Sequence, residues 1–382
     1  MPDIHAARRA RLQQQAAEIG ADAALITSGV NVRYLTGLVS SNAALLLPAA
    51  GAAEAAEAAG TAEAGGTAEV AGTAVLATDS RYAPAAARDC PGLELVIDRF
   101  PEPALAALAA ARGLAAVGFE EHEMTVERYR ALAGGSLTLI PLGRMVEGLR
   151  MVKDDEEIAL LARACQITSA AFIAVLAGIR PGVTERELAI ALEREMTDRG
   201  ADGLAFDTIV ASGPNGDTPH HVPTGRPFAT GDLITIDCGA RYAGYHADLT
   251  RTVALGEPAA WQREIYDVVA AAQRAGVAAA TAGAETAAVD AAARDLITRA
   301  GHGGHFGHGV GHGVGLEIHE APLVSRGAAG TLASGVPVTV EPGVYLPGTG
   351  GVRIEDTLVV RAGSGPIPAE LLTTATRELL VL

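Results

Sequence analysis

Four acids stand inside apolar, strand-like text: Asp237 in ITIDCGA, Asp248 in YHADLTRT, Glu341 in VTVEPGVY and Glu355 in GVRIEDT. Strands disfavour Asp, and a buried carboxylate is costly unless it is paired or bound to a metal. One such acid is ordinarily an exposed residue at a strand end; four in one half of a chain point to a shared pocket. Asp237 and Asp248 flank a short Gly-containing turn, RYAGY, which predicts neighbouring antiparallel strands with the two acids facing each other. A turn rich in Gly and Pro separates Glu341 from Glu355 in the same way.

Between these pairs lies GHGGHFGHGVGHGVGLEIHE, which holds His302, His305, His308, His312 and His319, half of the ten histidines in the chain. Each Gly costs a helix about 1 kcal/mol, so His308 and His312 are not a helical metal pair. An extended, close-packed backbone is expected instead. The GVGHGVG text is not GxGxxG and has no strand–turn–helix context, which argues against a dinucleotide site. Four convergent carboxylates without cations would raise one another's pKa and destabilise the fold. Two divalent ions supply the matching charge. Oxygen-rich ligation with a single imidazole suits a hard or borderline ion such as Mn²⁺. Two ions about 3.5–4 Å apart can share a water and lower its pKa from 15.7 towards about 7.

Other elements must bring these residues together. Residues 3–19 read as a helix ending at Gly20, and AALITS, ALLLP and AVLAT (74–78) as short buried strands, so the first part is an α/β domain. Residues 49–73, with a repeated GTAE, read as an enlarged low-complexity surface loop. Near 145–153 the pattern becomes regular. Asp154 with Glu157 caps a helix that places Ile158, Leu161, Ala162, Cys165, Phe172 and Val175 on one face. Thr184 and Glu187 form a capping-box pattern for a second helix ending at Gly200. DTIVAS, DLITIDCGA and HADLTRTVAL follow as strands, then helices over 259–279 and 286–300, then VPVTVEPGVY and GVRIEDTLVV as strands. Helix pair, strands, helix pair, strands is an internal repeat of one plan without residue identity between copies.

The bulk numbers agree with a folded enzyme. Hydrophobic residues at 49 % and charged ones at 19 % suffice for packed cores and exclude a disordered chain. A net charge of −16 without clustered Lys and Arg argues against a nucleic-acid partner. Cys90, Cys165 and Cys238 are far apart and unpaired in pattern, which fits a reducing, cytoplasmic compartment. Arg8, Arg9 and Arg11 have no apolar stretch behind them, so no standard signal peptide is expected, and no membrane span is.

Taken together, DCGA, ADLTRT, HGVGHGVGLEIHE, TVEPGVY and GVRIEDT closely resemble the pita-bread metallopeptidases: aminopeptidase P, prolidase and, more distantly, methionine aminopeptidase. NVRYLTG and TDSRY resemble the accessory domain of the first two. The resemblance covers nearly the whole chain apart from 49–73. It implies an α/β (α+β) chain with a creatinase-like domain over 1–145 and a pita-bread domain with a pseudo-twofold repeat over 146–382. It implies two divalent ions, Mn²⁺ before Co²⁺ or Zn²⁺, on Asp237, Asp248, His312, Glu341 and Glu355. Glu341 would also carry the proton, His220 would contact substrate in preference to His221, His319 would steady the oxyanion, and His308 would line the proline-side pocket. Arg353 would orient Glu355 or bind substrate, or serve only as a structural ion-pair partner. The implied substrate is a proline-containing peptide, and the implied assembly a homodimer. Many bacterial prolidases carry Arg just after the HE motif, as in HEWPRI; here HEAPLVS puts Leu323 there, with Arg326 close by. That difference favours Xaa-Pro aminopeptidase over prolidase. A metal-free binding module would have lost ligand residues, and all five are present.

Overall fold

The structure is a computed structural model that describes residues 4–52, 72–362 and 369–382. The chain divides into two compact units, Met1–Arg150 and Met151–Leu382.

In the first unit, six strands form one sheet: β1 (Ala23–Ile26), β2 (Ala43–Pro48), β3 (Val75–Thr78), β4 (Glu94–Ile97), β5 (Ala116–Phe119) and β6 (Thr138–Pro141). Their order is β4-β3-β2-β1-β5-β6. β1–β2 and β2–β3 pair antiparallel, while the outer pairs run parallel. The expected helix and three strands fall in place at α1 (Ile4–Glu18), β1, β2 and β3. Most of the low-complexity stretch expected over 49–73 lies outside the described residues. Among the described residues, five further helices complete the layers: α2 (Gly29–Thr36), α3 (Ala83–Asp89), α4 (Pro101–Ala111), α5 (Val126–Ala133) and α6 (Met145–Met151). Leu25, Leu46, Val75, Leu105, Ala109, Val117 and Leu132 form the core between sheet and helices.

The second unit opens with α7 (Asp155–Val175) and α8 (Glu185–Asp198). Both begin in the expected capping boxes, Asp154 with Glu157 and Thr184 with Glu187. α7, extended to Gly178, is long and apolar enough to cross a membrane by length and composition, but 56 % of its most apolar stretch is buried inside the protein. Ile167, Phe172, Leu188, Leu192 and Met196 of this helix pair pack on Val210, Ile234, Ile236 and Val253. Those four belong to β8 (Ile209–Ser212), β9 (Leu233–Cys238) and β12 (Leu249–Ala254), which form a sheet in the order β12-β9-β8. Short strands β7 (Gly203–Leu204), β10 (Ala240–Tyr242) and β11 (Tyr245–His246) make a side ribbon.

The plan then repeats. α9 (Ala260–Ala279) and α10 (Thr286–Arg299) pack Ile265, Val269, Val289 and Ile297 on Val338, Val340 and Leu358. Strands β13 (Gly311–Gly313), β14 (Glu320–Val324), β15 (Pro337–Val340), β18 (Asp356–Val360) and β19 (Ala369–Leu371) pair in the order β14-β13-β15-β18-β19, and β16 (Gly343–Leu346) pairs with β17 (Gly350–Arg353). The two halves join along β12: Glu355 N donates to Thr250 O at 3.0 Å, and Thr357 Oγ1 to Asp248 O at 2.8 Å. Several expected strands are broken. DLITIDCGA breaks at Gly239, HADLTRTVAL at Ala247–Asp248, VPVTVEPGVY at Glu341–Pro342, and GVRIEDTLVV at Ile354–Glu355. Three of the four breaks carry a candidate ligand.

Candidate active site

Asp237 is the penultimate residue of β9, opposite Thr250 of β12. Asp248 immediately precedes β12, so the two aspartates are diagonal neighbours across one antiparallel pair. The turn between them, with Ala243 (φ 46°) and Gly244 (φ 81°) both left-handed, closes the hairpin of β10 and β11. A residue with φ above zero at both central positions matches the right-handed strand twist. Glu341 follows β15 and Glu355 precedes β18, where chain segments leave one ladder for another. His312 is the middle residue of β13. A Cβ on either neighbouring glycine would fall on backbone, Gly311 on Thr339 O and Gly313 on Ala321 O, so only glycines let β13 pack this closely.

Asp248, His312 and Glu355, all buried, each offer a ligand atom within 4.8 Å of the others. His312 Nε2 lies 3.4 Å from Glu341 Oε1 and 3.6 Å from Asp248 Oδ2, too long for hydrogen bonds. His312 Nδ1 hydrogen-bonds to Gly313 O at 2.9 Å, which leaves Nε2 as a lone-pair donor. Burial pushes this imidazole down to about 4, so it is neutral at pH 7, the form that ligates. The acids shift the other way. Burial, then the charges of Glu355, Asp237 and Glu341, hold Asp248 well above the usual carboxylate range. Glu355 is raised by burial and by Glu341 and Asp237, and Glu341 is pushed up to about 7, chiefly by burial.

Two carboxylate oxygens fit this donor set to cations. Asp237 Oδ1 and Glu355 Oε1 are buried and have no hydrogen-bond partner. Their sister oxygens are occupied: Arg353 Nη2 donates to Asp237 Oδ2 and Thr250 Oγ1 to Glu355 Oε2, each at 2.7 Å. An orphaned carboxylate oxygen is expensive, and a divalent ion is the group that satisfies several at once.

Of the three expectations for Arg353, the ion pair is the one its contacts match. Arg353 is 2 % exposed and hydrogen-bonds to Asp237 directly, while its hydrogen-bond link to Glu355 runs through Thr250 Oγ1 and its charge also acts on Glu355. Its remaining bonds go to Tyr345 Oη and Pro219 O. The guanidinium is therefore spent on holding the site and is not open to substrate. Tyr345 in turn hydrogen-bonds to His308 Nε2 at 2.9 Å, while His308 Nδ1 bonds to Gly309 O. Burial and the Arg353 charge lower His308 to about 4. His319 is exposed, with its ring edge-on to His312 at 4.4 Å between centroids. Burial and then the nearby charge of His220 lower the His319 pKa. His220 is itself exposed, and its charge acts on His308 too. The rings of His302 and His305 lie 5.7 Å apart between centroids, and no contact of either with the acid cluster is found among the described residues. Tyr345 and Thr250 escaped sequence reasoning. Their only signal was spacing, two residues after Asp248 for Thr250, and strands are full of Thr and Tyr.

Two facing helix-and-sheet halves around a buried set of acids and one imidazole define a metal-dependent hydrolase of the pita-bread type. Residues 159–362 match the model of metallopeptidase family M24, and residues 8–152 that of the creatinase/prolidase N-terminal domain. The chain belongs to the M24 metallopeptidase family, whose members work with two metal ions. It is 43 % identical over 236 residues to the Xaa-Pro dipeptidase of Pyrococcus furiosus, covering 62 % of this chain and 67 % of that one. Its fold is similar to that of the Xaa-Pro dipeptidase from Bacillus anthracis (TM-score 0.89, 37 % identity, 99 % of this chain and 100 % of that one). It is also similar to the X-Pro aminopeptidase from Thermotoga maritima (TM-score 0.84, 34 % identity, 98 % and 99 % covered).

Proposed function

We propose that this protein is an Xaa-Pro dipeptidase that hydrolyses the bond before proline. The observation that carries the metallopeptidase chemistry is the buried Asp248–His312–Glu355 cluster, with orphaned oxygens on Asp237 and Glu355. The preference for dipeptides reverses the expectation drawn from Leu323. Relatives named Xaa-Pro dipeptidase support the reversal. Leu323 is 64 % exposed on β14, and the exposed Arg326, three residues on, would be the cation for a C-terminal carboxylate. The aminopeptidase reading keeps Leu323 and the Thermotoga maritima likeness on its side.

Asp237, Asp248, His312, Glu341 and Glu355 would hold two divalent ions, which when bound polarise the scissile carbonyl and acidify a water. Manganese suits this oxygen-rich set. Glu341 has the most exposed side chain of these acids, 18 % against 11 % for Asp237 and 7 % for Asp248. It takes a proton from the attacking water and delivers it to the departing proline nitrogen. His319, beside His312, donates to the developing oxyanion. His220 contacts the substrate, and His308, oriented by Tyr345, lines the proline side. A proline amide has no N–H and a fixed φ, so enzymes that grip an extended backbone fit it poorly. Cys165 and Cys238, buried and in no disulfide, support a cytoplasmic setting. A homodimer is the expected assembly on the family resemblance, and solution scattering checks it.

The test compares Xaa-Pro dipeptides with Xaa-Pro-Yaa tripeptides after Mn²⁺ loading. The dipeptidase reading expects dipeptide cleavage at least tenfold faster in kcat/KM. Preference for tripeptides returns the assignment to the aminopeptidase. A protein that binds no metal and cleaves neither is a binding module.

A further inference from the structure

The segment that carries His220 runs from the end of β8 to the start of β9, and its one regular element is a 3₁₀ turn over Gly213–Asp217. Something else must hold it. The first turn of α8 does so with backbone and side chain together. Glu185 N donates to Arg226 O and Arg186 N to Thr224 O, so N–H groups that a helix start leaves free are spent on the loop. The Glu185 carboxylate, fully buried, accepts six hydrogen bonds from the same loop. Oε1 takes Ser212 N (2.9 Å), Ser212 Oγ (2.7 Å) and Asn215 Nδ2 (2.9 Å). Oε2 takes His221 Nε2 (2.9 Å), Thr224 N (3.0 Å) and Thr224 Oγ1 (2.6 Å). One oxygen grips the outgoing limb and the other the returning limb.

The adjacent histidines are thereby parted. His221 is turned onto Glu185, while His220 stays exposed with its charge felt at His308 and His319. Two more bonds fix the apex: Arg353 Nη1 to Pro219 O and Gly348 N to Asp217 Oδ2. Since Arg353 also holds Asp237, the loop and that carboxylate share one anchor.

We propose that Glu185 is a positioning residue for His220: a buried carboxylate staple that presents this imidazole to the bound peptide. The inference rests on the reading of His220 as a substrate contact. Glu185→Gln replaces one acceptor oxygen by an amide that confronts three donors. The experiment is a double-mutant cycle in kcat/KM with Mn²⁺-loaded protein, using wild type, Glu185→Gln, His220→Ala and the double variant, with melting temperature and bound Mn²⁺ measured for each. Displacing a group that orients an active-site residue typically costs 10–100-fold, and that loss is expected for Glu185→Gln with Mn²⁺ stoichiometry unchanged. In the His220→Ala background the same substitution is expected to cost less than threefold, because the residue it positions is gone. An equal cost in both backgrounds, or loss of Mn²⁺, overturns the proposal while leaving His220 as a contact. Wild-type kcat/KM in His220→Ala removes the premise and the proposal together. Should Glu185→Gln fail to fold, Thr224→Val, which removes one donor to Oε2, replaces it in the cycle: a loss of about fivefold in the wild-type background that disappears in His220→Ala is expected, and an equal loss in both overturns the proposal.

Discussion

Two regions of the second unit bury a glutamate to the same depth and treat it in opposite ways. At the head of α8, Glu185 receives six donors and its pKa falls to about 2. In the acid cluster, Glu355 is 1 % exposed, receives one side-chain donor, keeps Oε1 unpartnered, and faces Glu341 and Asp237. Its pKa rises. Burial alone separates nothing here, because desolvation opposes the charged form in both places. What differs is the supply of donors. A carboxylate that serves the fold is saturated by protein N–H and O–H groups, whereas the cluster leaves lone pairs that protein donors do not reach. Glu120 of the first unit also collects donors, Thr27 N and Ser28 N on one oxygen and Asn31 Nδ2 on the other, but fewer than Glu185 does, and burial still holds its pKa above the ordinary carboxylate value.

Removing charge from the cluster should therefore abolish activity without harming the fold. Glu341→Gln is expected to lower kcat/KM by about 10²–10⁴-fold, the range for a lost proton carrier, in steady-state assays at saturating Mn²⁺. Glu355→Gln should inactivate as severely, yet leave the melting temperature of metal-free protein unchanged or higher, because one of several crowded acids becomes neutral. A fall of several degrees would mean that Glu355 serves the fold as Glu185 does. Arg353→Lys keeps the charge but not the fork that spans Asp237, Tyr345 and Thr250, and a 10–100-fold loss with weaker Mn²⁺ binding is expected.

The pH dependence of stability should run in opposite directions in the two regions. Glu341 in the metal-free protein has a folded pKa of about 7, above its ordinary 4.5. Its contribution is present below about pH 4.5 and lost as pH rises through 7. Melting curves of stripped protein should show that loss, and Mn²⁺ should cancel it; Mn²⁺ at a hundred times its Kd adds about 2.7 kcal/mol. Glu185 is lowered from 4.5 to about 2, so its contribution is present above pH 4.5 and lost as pH falls towards 2. In Glu185→Gln the fall in melting temperature between pH 5 and pH 3 should be smaller than in wild type, the smallest of these effects.

Much of this contrast was legible in residue order. Acids in apolar strands, the RYAGY turn and the glycine-framed His312 all mark the cluster. Both capping boxes, at Asp154 and Thr184, mark the helices that cover the first half. The strand breaks at Gly239, Asp248, Glu341 and Glu355 were not legible. Apolar residues continue through each, and a break there follows from which ladder each segment joins in space. Glu185 was equally hidden, since a Glu in the first turn of a helix is ordinary text. Only the fold brings Ser212, Asn215, His221 and Thr224 to it. Arg353 shows the same limit: an ion pair could be expected for it, but sequence distance does not name Asp237 as the carboxylate its fork meets.

Calorimetric titration of metal-stripped protein with Mn²⁺, repeated on Glu355→Gln, tests most directly whether the orphaned oxygens are cation ligands. Two ions per chain in wild type and loss of at least one in Glu355→Gln are expected. Absence of binding in the wild type, or an unchanged titration in the variant, would contradict it.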